Sequence, residues 1–124
     1  MVGERDKMTR DEILAMKPGR SLNARIAEDV MGNKVVADAI MGEIEIHSTT
    51  KGESVYGKLT PYSEDRSSAQ SVIRMMAHLG YAEAKLWGNE ERPDVICRAA
   101  LLTLLNKKKK EKKEKMKARL HVVR

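Results

Sequence analysis

The chain has 124 residues, enough for one modest domain and too few for two ordinary ones. It is 41% apolar and 34% charged, with three Tyr, one Trp and no Phe, so its core is aliphatic and draws on several of its eight Met. A single cysteine, Cys97, excludes an internal disulfide and a thiolate metal cage, no apolar run reaches the roughly 20 residues that span a bilayer, and the charged stretch Met1 to Met8 has no signal-peptide core, which together imply a reducing, cytoplasmic setting without membrane insertion.

The net charge of +6 is unevenly placed. Residues 1–106 carry 14 basic and 16 acidic side chains, a balance of −2, whereas residues 107–124 carry 10 basic and 2 acidic ones, a balance of +8. The division predicts a single α/β domain over 1–106 followed by a lysine-rich helical tail over 107–124.

Thr9-Arg10-Asp11-Glu12 has the spacing of a capping box and starts a short helix that reaches about Lys17. Pro18-Gly19 interrupts it. A second helix from about Arg20 sets Leu22, Ile26 and Val30 four residues apart and closes at Gly32. The period then changes: Lys34–Ala37 and Ile40–Ile46 read as strands, the second alternating Ile inward with Glu outward, and Thr50-Lys51-Gly52-Glu53 turns the chain into a return strand over Ser54–Leu59.

A third helix carries Ala69, Val72, Ile73 and Met76 on one stripe and ends at Gly80. Tyr81–Trp87 alternates again as a fourth strand. Pro93 suits the first position of a last helix, and no proline or glycine follows Asp94. The fold class expected is α+β: a small antiparallel or mixed sheet of three to four strands layered with helices, α/β/α sandwich-like, with a long C-terminal helix.

Ser63, in Pro61-Tyr62-Ser63-Glu64-Asp65, reads as the cap of the third helix, because its hydroxyl can accept from an N–H two or three residues on. On this reading Ser63→Asp is nearly neutral, since carboxylates also cap. A nucleophilic serine needs a base and an oxyanion pocket, and there is no G-x-S-x-G elbow and no motif joining it to His47, His78 or His121.

Three segments, Lys-Pro-Gly-Arg through Val-Met-Gly (17–32), Pro-Tyr-Ser-x-Asp-x-Ser-x-Ala (61–69) and Val-Ile-Cys-Arg-Ala-Ala-Leu-Leu (95–102), resemble the phage "ABA sandwich" domain family, small proteins of Gram-positive phages and prophages. The resemblance covers about residues 9–106. It implies a sheet layered between helices and a host bacterial cytosol, and it brings no enzyme activity or ligand. The chain departs from the family pattern at Asn33, where a tryptophan is usual, and in a shorter segment between the third and last helices.

No catalytic residue, metal ligand or cofactor is expected: the three His are scattered and the glycines form no phosphate loop. Cys97 sits in the apolar part of the last helix and reads as buried and inert, and the pair Glu43 and Glu45 reads as solvent-facing. Two groups are candidate binding residues. Tyr81, Lys85 and Trp87, on one face of the expected fourth strand, could stack nucleobases or cover an edge against a second chain. Lys107, Lys108, Lys109, Lys110, Lys112, Lys113, Lys115 and Lys117 could contact phosphate.

The function expected is that of a non-enzymatic phage or prophage binding protein that inhibits a host process, such as a defence nuclease of the CRISPR type, by contact with a host protein or protein–nucleic acid complex. The alternative is an accessory nucleic-acid binder of phage DNA metabolism using the tail. A homodimer is a further expectation.

Overall fold

The computed structural model describes residues 8–49 and 51–122, and among these the side chains of Lys109 and of 112–122 are not described. Helices α1 (Arg10–Ala15) and α2 (Arg20–Asp29) lead into an antiparallel meander of β1 (Lys34–Asp38), β2 (Gly42–Ser48) and β3 (Ser54–Lys58). Helix α3 (Arg66–His78), a 3₁₀ segment (Ala82–Asn89) and α4 (Pro93–Val122) complete an α+β domain.

The local chemistry accounts for most boundaries. Thr9 and Glu12 form the expected capping box, each side chain taking the other residue's backbone N–H at 3.1–3.2 Å. Asp38 accepts from Ile40 and Met41 N–H across the first hairpin, which holds its carboxyl below the usual range and places Ile40 and Met41 in the turn rather than in β2. The core gathers Leu22, Ile26, Val72, Met76, Ile96 and Cys97, all fully buried, from α2, α3 and α4. Burial and the nearby Asp94 carboxylate push the Cys97 thiol up to about 12, so it is a packed, unreactive side chain.

Three expectations are corrected. The segment after Gly80 is not a fourth strand: Ala, Glu, Lys and Leu are helix formers, and Ala82–Asn89 winds into a 3₁₀ segment against α3 with only Ala84 buried. Tyr81, Lys85 and Trp87 therefore share no strand face. The cap of α3 is Asp65, whose carboxylate accepts from Ser68 N at 2.9 Å and Ser68 Oγ at 2.8 Å. Ser63 lies before the helix, buried, and its hydroxyl accepts from Gly19 N at 2.9 Å while donating to Asn23 Oδ1 at 2.6 Å. It serves the entry to α2, 44 residues away in sequence.

The third correction concerns the sheet. The Ile/Glu alternation of β2 is present but its sense is inverted, because Glu45 is 0% exposed and points toward the helices. Ile44 and Ile46 stand on the other face. Alternation puts neighbours on opposite faces without saying which face is inward, and here the inward choice follows the polar groups that meet Glu45.

The two helix-start assignments separate cleanly by mutation. Asp65→Ala should cost about 1 kcal/mol as a lost cap, whereas Ser63→Asp should cost about 3 kcal/mol or more, because it buries a carboxylate against the Asn23 oxygen. Chemical denaturation of the two variants measures both; a neutral Ser63→Asp would restore the cap reading.

Candidate functional site

Polar groups from three segments distant in sequence meet beneath β2. Tyr62 Oη donates to Glu45 Oε2 at 2.6 Å, Thr60 N donates to Oε1 at 3.0 Å, and Asn33 Nδ2 donates to Oε2 at 2.7 Å. The second hydrogen of that Asn33 amide faces His47 Nδ1 at 3.1 Å. Burial alone would push the Glu45 carboxyl up; the donors from Tyr62, Thr60 and Asn33 outweigh it and hold the group below the usual glutamate range. The same burial and the adjacent carboxylate raise Tyr62 well above an ordinary phenol.

A second cluster adjoins it along the chain. Ser63 N and Oγ both donate to Asn23 Oδ1, and Asn23 Nδ2 donates to Glu64 Oε2 at 3.0 Å. Asn33, the departure from the family pattern, is thus a member of the carboxylate frame, and Asn23 clamps the loop that delivers Tyr62. Neither asparagine carried a sequence signal beyond its type. Glu43, the other half of the expected pair, is half-buried and meets Arg20 Nε at 3.4 Å.

Glu45, Tyr62 and Ser63 are buried and their polar atoms are engaged, and none of them lines any of the three principal cavities. Asn33, bonded to Glu45, and Asn23, bonded to Ser63, do line cavities, so the carboxylate and the serine hydroxyl stand one residue behind those walls. Among the described residues no group of three or more His, Cys, Asp or Glu is placed to hold a metal ion, and no helix is long and apolar enough to cross a membrane.

Two of these cavities flank α4. One groove of about 520 Å³ runs between α1, α2 and α4, with Ile13, Leu101, Leu104 and Leu105 beneath a rim of mixed charge that includes the Arg25–Asp29 ion pair at 2.8 Å and Lys108. On another side, a hollow of about 270 Å³ is lined by Leu86, Trp87, Val95, Ile96 and Ala99. The base of α4 is fixed by Asp94, which Arg92 and Arg98 both engage, while Arg98 Nη1 also donates to Met16 O at 2.8 Å. Those guanidinium groups hold the Asp94 carboxyl below its usual range against the opposing effect of burial.

The predicted binding residues divide accordingly. Lys107 Nζ lies 5.2 Å from the Tyr81 ring centroid and 4.0 Å from Glu111, so this ring is covered by a lysine of the chain itself. Trp87 is half-buried against the core, and Lys85 is exposed beside Leu86. Lys108 joins the rim of the larger groove, and Lys110 is exposed. The side chains of Lys109, Lys112, Lys113, Lys115 and Lys117 lie outside the described residues, although their backbone continues α4. No protein-family model, curated protein or solved structure matches the chain.

The depressed Glu45 carboxyl makes a signed prediction. A carboxylate whose folded value lies below its unfolded one stabilises above the unfolded value, and that contribution disappears as pH falls through the folded value. Glu45→Gln should therefore cost about 1.5–3 kcal/mol at pH 7, and the deficit should shrink as pH is lowered beneath the ordinary glutamate range near 4.3. Urea denaturation of both proteins across pH 3 to 7 checks it; a deficit that grows in acid would show that the folded protein prefers Glu45 neutral.

Proposed function

We propose that the chain is a non-enzymatic binding protein of a phage or prophage that acts by contact with a host protein, through the shoulder formed by the 3₁₀ segment and the base of α4. The observation that carries this reading is Leu86. It is 79% exposed on the rim of the 270 Å³ hollow formed with Trp87, Val95, Ile96 and Ala99. A recess with an aromatic wall, aliphatic side chains and the polar Asn89 and Glu90 in its lining, beside a solvent-facing leucine, is an arrangement in which a few anchors supply most of a protein interface's energy. The charge at this shoulder is mixed, Lys85 and Arg92 standing among Glu83, Glu90 and Glu91, so the apolar anchors carry the contact and the lysine run of α4 speeds encounter with an acidic partner.

The resemblance of residues 17–32, 61–69 and 95–102 to the phage family supports the setting, and within it the inhibition of a host process, including a defence nuclease of the CRISPR type. The buried, fully engaged state of Ser63 and Glu45 supports binding over catalysis.

A second reading, contact with nucleic acid, is favoured by one observation: α4 remains helical to Val122, while the last of its described side chains to pack on the core is Leu105. Residues 107–122 therefore form a helical extension roughly 24 Å long with a net charge of +7. Such a rod suits phosphate without base selection.

Recovery of tagged protein from an infected or lysogenic host, with and without nuclease treatment, tests the two readings. The expected result is a protein partner that survives nuclease and is lost with Leu86→Glu at a stability within about 0.5 kcal/mol of the unaltered protein. Deletion of 107–124, which removes none of the described core residues, should slow association and reduce its salt sensitivity more than it alters the lifetime of the complex. Capture that disappears with nuclease, and is abolished by the deletion but not by Leu86→Glu, would transfer the function to the basic helix.

A further inference from the structure

Among the described residues nothing covers the outer face of the sheet. The register places Lys34, Ile46 and Tyr56 in one row across the three strands and Val36, Ile44 and Lys58 in the next row on the same face. Val36 is 40% exposed and Tyr56 66% exposed, Ile44 and Ile46 are half-buried at the centre, and none of the four packs against the core. Helical cover comes to the opposite face, where Val35 joins the core and Glu45 is buried. We infer that a second copy of this chain docks on this outer face, sheet against sheet, about a two-fold axis.

The placement of the two lysines carries the choice of occupant. They stand at diagonal corners of the patch, Lys34 on β1 in the first row and Lys58 on β3 in the second. Among the described residues neither makes a salt bridge. When two identical sheets pack face to face with their strands aligned, the two-fold axis lies between them, either along the strands or across them.

With the axis along β2, Lys34 lies over the partner subunit's Tyr56, Lys58 over the partner subunit's Val36, and Ile44 and Ile46 meet their own equivalents. With the axis across the strands, Lys34 lies over the partner subunit's Val36, Lys58 over the partner subunit's Tyr56, and Ile44 meets the partner subunit's Ile46. In both arrangements each lysine faces an aromatic ring or an aliphatic side chain and never another lysine. An ammonium over a tyrosine ring is attractive, and a lysine stem can cover a valine while its charge reaches water. Lysines in one row, or at both ends of one strand, would have opposed each other under one of these axes. The diagonal leaves the face compatible with itself under either.

The patch has about six side chains, fewer than the roughly 20–30 per side of a stable interface, so the association is weak and concentration-dependent. It is independent of the host-contact reading, which uses Leu86. Sedimentation equilibrium of the full chain from ~10 μM to ~1 mM should show the apparent mass climbing from 14.0 kDa toward twice that value. Val36→Glu and Tyr56→Glu should each weaken association by about tenfold or more without lowering the thermal midpoint enough to unfold the protein. Leu86→Glu should leave it unchanged.

Placement is tested with a short bis-maleimide on single-cysteine insertions, because the native Cys97 is buried and unreactive. Ile46→Cys linking to itself marks the axis along the strands, and linkage only between Ile44→Cys and Ile46→Cys marks the axis across them; either supports the face-to-face dimer. A chain that stays monomeric at ~1 mM, or a dimer that both glutamate variants leave intact and neither cysteine pair captures, overturns it.

Discussion

The architecture depends on one buried carboxylate. Glu45 occupies the middle of the central strand and faces the helices, a position where an ionised group without partners would be prohibitive. Three donors arrive from two connections: the Tyr62 hydroxyl and Thr60 N–H from the β3–α3 connection, and the Asn33 amide from the α2–β1 connection. Each connection is thereby pinned to the sheet. Because the carboxylate must face these donors, alternation forces Ile44 and Ile46 outward, and the apolar outer surface of the sheet is a direct consequence of a polar requirement on the inner one.

The helices are joined by the same kind of link. Asn23 and Ser63 tie the start of α2 to the loop that carries Tyr62, and Arg98 reaches from α4 to both Asp94 and the Met16 carbonyl. These groups sit among aliphatic side chains that tolerate many arrangements, and directional bonds select one of them. What is left for recognition lies outside this frame: the Leu86 shoulder, the open face of the sheet and the projecting basic helix. A rigid interior with its polar groups internally engaged suits a protein that presents surfaces.

Periodicity and caps made much of the fold legible. The Thr9 box, the Leu22-Ile26-Val30 spacing, the stripe of α3, the start at Pro93 and the meander all appear where local chemistry places them. The misreadings have physical causes. Tyr81–Trp87 alternates by apolar content, yet Ala, Glu, Lys and Leu prefer helical backbone and Gly80 turns the chain onto α3. Ser63 and Asp65 can both cap, and only the tertiary approach of Gly19 and Asn23 assigns the serine elsewhere. The inward side of β2 was illegible because the partners of Glu45 are distant in sequence. The candidate surfaces were legible in part: Lys85 and Trp87 belong to the shoulder, but Leu86, which projects farthest, gave no signal that distinguishes it from a core leucine.

The Glu45–Tyr62 bond, a neutral phenol donating to an ionised carboxylate, holds sheet and helices together. A double-mutant cycle with Glu45→Gln and Tyr62→Phe, read by denaturant unfolding at pH 7, tests it most directly. The account predicts that the two single changes are strongly non-additive, with a coupling of about 1 kcal/mol or more between these directly bonded groups. Additive losses, with coupling near zero, would show that each side chain is held by other contacts and would contradict the frame as the origin of the fold's orientation.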